Sequence, residues 1–260
     1  MPPPPSRVLV AFGASGTPVP LAGGHGETWR CGDVVLKPAP EEADVIASVM
    51  DAVVEDGSFR VSRPVASSEG GWVFGGWTAW TYVTGEPCDT GRWAEEVAAS
   101  DAFHRAVAHL PRPVFTGTSM YRRADRIAWG EETYEPHASF AAALRRAEAL
   151  LRPVDEPCQL VHGDVGGNVL FADGLPPAVI DLAPYWRPAP YAAGVVVAGA
   201  LVWYGADESV LDLAPWQYVV RGVLFRLAVR EAMARKGDDR SDQLGQYVRA
   251  VELLERRAVA

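Results

Sequence analysis

The feature that most constrains this chain is a change of texture at Gly85-Glu86-Pro87. From Val8 to about Val83 the apolar residues come in short runs, VLVAF, TWRCGDVVLKP and GWVFGGWTAWTYV, each closed by Gly, Pro or Asp. Such runs read as strands of a small antiparallel sheet. One interruption, Glu41 to Val54, sets Val45, Val49 and Ala52 at helical spacing behind the acidic start EEAD, and so reads as a helix. Beyond the turn, Trp93 to Leu110, Glu135 to Leu151, Ala189 to Tyr204, Pro215 to Lys236 and Ser241 to Val259 all read as helices. Among them lies one β-like unit, QLVHGDVGGNVLFADGLPPAVIDLAP, in which VLF and AVI flank a turn at Asp173-Gly174. With 260 residues the chain can form two lobes sharing a cleft. The expectation is α+β, with residues 1–84 as a sheet lobe carrying one helix and residues 85–260 as a mainly helical lobe.

Charge and composition narrow the partners. The formal net charge of −9 leaves no surplus of Lys and Arg for a phosphate backbone, which argues against nucleic acid. Cys31, Cys88 and Cys158 stand far apart with no CxxC spacing and read as free thiols. The lead-in MPPPPSR has no apolar segment behind its arginine, so no signal peptide is expected and the location expected is the cytoplasm. The longest uncharged stretch, Ala189 to Ala206, approaches the length of a membrane span. Pro190, Gly194, Gly199 and Gly205 interrupt it and no basic anchors flank it, so a buried helix is expected and no membrane.

The chemistry concentrates in His162-Gly163-Asp164-Val165-Gly166-Gly167-Asn168 and in the hairpin that ends at Ile180-Asp181. A hairpin there returns Asp181 to the neighbourhood of Asn168. Two carboxylates and an amide oxygen converging on one spot are hard donors that suit Mg²⁺, which keeps the rest of its octahedron for water and phosphate.

HGDVGGN followed by IDL resembles the catalytic loop and metal-binding aspartate of the aminoglycoside phosphotransferase and choline-kinase-like families, distant relatives of protein kinases. The resemblance implies a two-lobed protein-kinase-like fold, ATP and Mg²⁺ as cofactors, and transfer of the γ-phosphoryl group to a hydroxyl of a small-molecule acceptor. It implies Asp164 as the group that accepts or orients the hydroxyl proton, Asn168 and Asp181 as magnesium ligands, and His162 as a brace beneath the loop. It also implies Gly23, Gly24 and Gly26 as a phosphate-covering loop, Lys37 at the end of DVVLK as the phosphate-binding strand lysine, and Tyr82 and Val83 as backbone partners of adenine.

Two departures accompany the resemblance. Only Val165, Gly166 and Gly167 stand between Asp164 and Asn168, one residue fewer than the family loop, and adjacent glycines offer positive φ to tighten the turn. The helix that should supply a carboxylate to Lys37 has Ser48 and Val49 near its middle, so Glu41 or Glu42 reaches back or the ion pair is absent. These departures keep open a second reading, a nucleotide-binding regulatory module of the same fold. A hydrolase using Asp164 and His162 is disfavoured, because no Ser or Cys sits in a GxSxG elbow. Of the tryptophans, Trp72, Trp77, Trp80 and Trp203 read as core, while Tyr185 and Trp186 stand where an acceptor would dock, with Arg187 to meet phosphate or an acid.

Overall fold

The computed structural model describes residues 2–21, 26–87, 91–238 and 243–259. The first element is a helix, α1 (Ser6–Ala11), where VLVAF reads as a strand in sequence and MPPPPSR as a flexible lead-in. A short apolar run does not separate helix from strand. Here the helix places Val8 and Phe12 one turn apart, both buried against Leu36, Trp77 and Ala79 of the sheet.

That sheet is built from β1 (Val19–Pro20), β2 (Trp29–Cys31), β3 (Val34–Pro38), β5 (Pro64–Val65), β6 (Val73–Phe74) and β7 (Trp77–Thr81). All its pairings are antiparallel, and β7 joins β3, β5 and β6. Between β3 and β4 (Arg60–Val61) runs α2 (Ala43–Ala52), the helix expected from Glu41 to Val54. A second sheet takes β4, β8 (Glu86–Pro87), β10 (Val169–Ala172) and β11 (Leu175–Val179), so it joins segments from either side of Thr84. Gly174 turns the β10–β11 hairpin with φ +71°, and Val169 lies opposite Val179. β9 (Gln159–His162) pairs with β12 (Pro184–Arg187), a strand that the sequence pattern does not announce.

The rest is helical: α3 (Trp93–Val107), α4 (Met120–Ala128), α5 (Ala138–Glu148), α6 (Pro190–Trp203), α7 (Trp216–Arg235) and α8 (Leu244–Val259). All but α4 fall inside helices expected from sequence. MYRRADRIA is dominated by charge, and the apolar part of its inward face is only Ala124, Ile127 and Ala128, beside the buried Asp125, with Ser119 capping the start through Arg122 N.

α6 is buried from Tyr191 to Val202, which is why it is apolar all round. No helix among the described residues is long and apolar enough to cross a membrane. α6 meets α7 at backbone distance: a Cβ on Gly194 would lie 2.3 Å from Tyr218 O, and one on Gly222 would lie 2.5 Å from Gly194 O. Glycine is required on both helices at this crossing. The core under the site links the two halves, since Met50, Phe59 and Trp80 pack with Phe103, Leu160, Val165 and Val196. Cys31 is buried and Cys158 exposed, both free; Cys88 lies outside the described residues.

Candidate active site

A cleft of about 380 Å³ opens between the sheet of β3 and β7 and the β10–β11 hairpin. Its walls bring together Lys37, Tyr82, Val83, Asn168 and Asp181. Leu21 and Thr28 close the near side and are hydrogen-bonded, Leu21 N to Thr28 O at 2.9 Å. The segment they flank carries the expected phosphate-covering loop; Gly26 has φ +73° and does not line the cleft, and Gly23 and Gly24 lie outside the described residues. Tyr82 donates its N–H to Asp33 O at 2.8 Å, and Arg30 lies 3.5 Å over its ring. A larger, open hollow of about 640 Å³ between Pro153–Glu156 and Pro215–Tyr218 contains none of the residues expected at the site.

The loop that carries Asp164 is pinned from below. His162 is fully buried; its Nδ1 accepts from Asp164 N (3.2 Å) and Ala183 N (3.3 Å), so the ring proton sits on Nε2, which donates to Ile180 O at 3.0 Å. A second buried histidine, His104 of α3, accepts from His162 N at 2.9 Å through Nε2 and therefore donates from Nδ1 to Ser100 Oγ at 3.2 Å. Burial pushes His104 down to about 3 and lowers His162 as well, so both rings are neutral.

The shortened turn closes without a fourth intervening residue. Gly167 takes φ +82°, while Gly166 stays outside the positive-φ region, so one left-handed glycine suffices. Asn168 N donates to Val165 O at 2.8 Å, and its side-chain amide donates to Asp164 O at 2.6 Å, which leaves Oδ1 as its ligand-binding atom. Ile180 N donates to Asn168 O at 3.0 Å, and that bond delivers Asp181 beside Asn168. Glu96 of α3, 3% exposed, accepts from Gly167 N at 3.3 Å. Burial raises its carboxyl to about 7.

Asp181, at φ +56°, is ion-paired with Lys37 across the cleft. The expected helix carboxylates are elsewhere: Glu42 pairs with Arg122 of α4 and accepts from Gly117 N, and Glu41 accepts from Thr118 N at 3.3 Å. Neither reaches Lys37, so the ion pair of that lysine with α2 is absent. Among the described residues no three His, Cys, Asp or Glu side chains gather as a metal site. One carboxylate and one amide oxygen fit magnesium, which needs few protein ligands when phosphate supplies the others.

Asp164 faces a different neighbour. Its Oδ1 accepts from Arg226 Nη2 of α7 at 2.8 Å, and its side chain is 42% exposed against 8% for Arg226. Trp203, read as core in the sequence, is 45% exposed and stacks 4.1 Å from that guanidinium. Tyr185 is buried against Phe225, and Trp186 is partly buried against the core under the site. Arg187 pairs with acids, Asp125 (2.6 Å) and Glu131 (2.5 Å), and this pairing holds α4 against β12. Sequence reasoning missed His104, Glu96 and Arg226, since each reaches the loop from a helix distant in sequence, and α3 and α7 carry enough charged residues that nothing local marks these three as buried.

The phosphotransferase enzyme family model matches residues 20–214. No curated protein matches the sequence significantly. Among solved structures, a thermostable mutant of aminoglycoside phosphotransferase APH(4)-Ia aligns over 98% of this chain and 99% of its own at 15% identity, TM-score 0.64. An aminoglycoside phosphotransferase from Alicyclobacillus acidocaldarius aligns over 100% and 94% at 19% identity, TM-score 0.61. Choline kinase LicA from Streptococcus pneumoniae aligns over 96% and 97% at 13% identity, TM-score 0.60. These likenesses establish the two-lobed protein-kinase-like fold, and the family match extends through the loop, the cleft and α6: the chain belongs to the phosphotransferase enzyme family and is a small-molecule phosphotransferase.

Proposed function

We propose that the protein transfers the γ-phosphoryl group of ATP to a hydroxyl of a small molecule. The observation that carries this reading is the convergence of Lys37, Asn168 and Asp181 at one end of the cleft, with Asp164 at the head of the same loop. A spectinomycin phosphotransferase of the same fold is known in complex with ADP and spectinomycin, which supports a nucleotide in the cleft. Because Tyr82 N–H is committed to Asp33, the adenine edge meets the backbone of Val83. Lys37 leaves Asp181 for the phosphates when the nucleotide enters. Asn168 Oδ1 and Asp181 would hold magnesium, which when bound neutralises phosphate charge.

The acceptor hydroxyl gives its proton to the Asp164 carboxylate as its oxygen bonds to the γ-phosphorus. The bond from that phosphorus to the bridging oxygen breaks, and the products are a phosphate ester and ADP. Positioning and electrostatics do most of the work, and the buried histidines beneath keep the loop in place.

The test is turnover of ATP with Mg²⁺ across a panel of amino alcohols, aminocyclitols and neutral sugars. The expected result is transfer to at least one compound, with kcat reduced about 10²- to 10⁴-fold by Asp164→Asn. Nucleotide binding without turnover on any compound, unchanged by Asp164→Asn, would establish the nucleotide-binding module instead. The missing α2 partner of Lys37 is the feature that favours that outcome.

A further inference from the structure

We infer that Arg226 is a positioning residue for Asp164, fixing Oδ1 so that Oδ2 is the oxygen presented to the acceptor's hydroxyl proton. This rests on the reading of Asp164 as the proton acceptor. The geometry is asymmetric: the cation is buried on a core helix, and the anion it holds is open to solvent on its other side. A fixed donor at 2.8 Å removes one torsional freedom from a carboxylate that otherwise swings, and a proton acceptor works only within hydrogen-bond reach of its proton.

The hydrogen-bond inventory of the buried arginines points the same way. Arg187 donates from Nε and both Nη atoms to two carboxylates, as a structural guanidinium does. On α7, Arg221 makes three hydrogen bonds, to Gln217 O, Gln217 Oε1 and Arg152 O. Arg226 makes one among the described residues, to Asp164; its Nε is buried with no partner, as are those of Arg221 and Arg230, so the contrast lies in the single bond its Nη atoms make. Burying a guanidinium so sparsely bonded costs stability, and an apolar side chain of similar size would fill the space more favourably. Its single partner is the group expected to receive the proton. The guanidinium also lies 4.1 Å from the ring of Trp203 at the end of α6 and 5.5 Å from that of Phe225, its neighbour on α7, and these contacts favour its place.

The decisive experiment is a double-mutant cycle between Arg226→Met and Asp164→Asn, with Arg226→Lys as the conservative variant. The readouts are hydrolysis of MgATP with water as acceptor, MgATP affinity, and melting temperature. We expect Arg226→Met to lower kcat about 10- to 100-fold while MgATP affinity stays within about twofold. Arg226→Lys recovers part of that loss. In the Asp164→Asn background, Arg226→Met should lower kcat by no more than about twofold, because a positioning residue has nothing left to position. Losses that multiply, or an Arg226→Met enzyme with kcat within about twofold of the natural one where Asp164→Asn is impaired, overturn the inference and leave the phosphotransferase reading intact. Full hydrolysis by Asp164→Asn itself overturns the role of Asp164 on which both rest. If Arg226→Met fails to fold, the same cycle is run with Arg226→Lys and the same criteria decide.

Discussion

The underside and the upper face of the Asp164 loop are built on opposite principles. Below, His104, Ser100, His162 and the main chain of Ile180, Asp164 and Ala183 form a buried relay of neutral groups in which every ring nitrogen is hydrogen-bonded, His162 Nδ1 twice. Above, Lys37 and Asp181 form an ion pair between partly exposed charges. The first arrangement is insensitive to solvent and has no vacancy for a ligand. The second is held together only until a better partner arrives, since an exposed ion pair contributes about 0–1 kcal/mol. A loop can be rigid where it is anchored and still exchange partners where it works.

The largest test of this contrast is His162→Ala. It removes one donor and one acceptor from the relay and opens a cavity, so we expect a loss of about 3–4 kcal/mol in chemical denaturation, with kcat falling as well. A loss below about 1 kcal/mol would break the comparison, since the underside would then not be the anchor.

Next comes Asp181→Asn on the upper face. It should leave the melting temperature nearly unchanged yet weaken MgATP binding about 10- to 100-fold, several times more than Asp164→Asn does, as read by calorimetric titration. Equal weakening by the two variants would contradict the division of labour between them.

The smallest effect sharpens the boundary between the faces. Glu96 lies below the loop with its carboxyl raised to about 7, from an ordinary 4.5, so the folded state resists its ionisation. The stability it contributes is whole at low pH and is lost as pH rises to 7 and beyond. Glu96→Gln keeps an oxygen for Gly167 N and removes the charge. The variant should be about 2 kcal/mol more stable than the natural chain at pH 8, with the gap closing below pH 4.5. An unchanged gap across that range in urea denaturation would show that Glu96 titrates normally.

The sequence made some of this legible and hid the rest for physical reasons. The β10–β11 hairpin and the burial of α6 were readable because turn chemistry and all-round apolarity are local signals. The meeting of Asn168 and Asp181 was readable because a hairpin of known length fixes where its ends lie, whereas Lys37 was reached only through the family resemblance. α1 was misread because VLVAF satisfies both periods, and α4 was missed because three Arg residues mask a narrow apolar stripe. The partner of Glu42 was beyond reach for a different reason: Arg122 is 80 positions away and meets it through tertiary packing alone. His104, Glu96 and Arg226 share that property, which is why the groups around the loop were harder to find than the loop.

The glycine crossing of α6 and α7 has a consequence for how this enzyme can change. Arg226 follows Gly222 by four residues and so sits one turn further along the same face of α7. A methyl group at position 222 would act as a shim between the two rods, tilting α7 about its contact with Gly194 and carrying the guanidinium off the carboxylate it steers. Remodelling of the acceptor side is thereby steered toward surface loops, because the spacing of these two helices is also the alignment of the site.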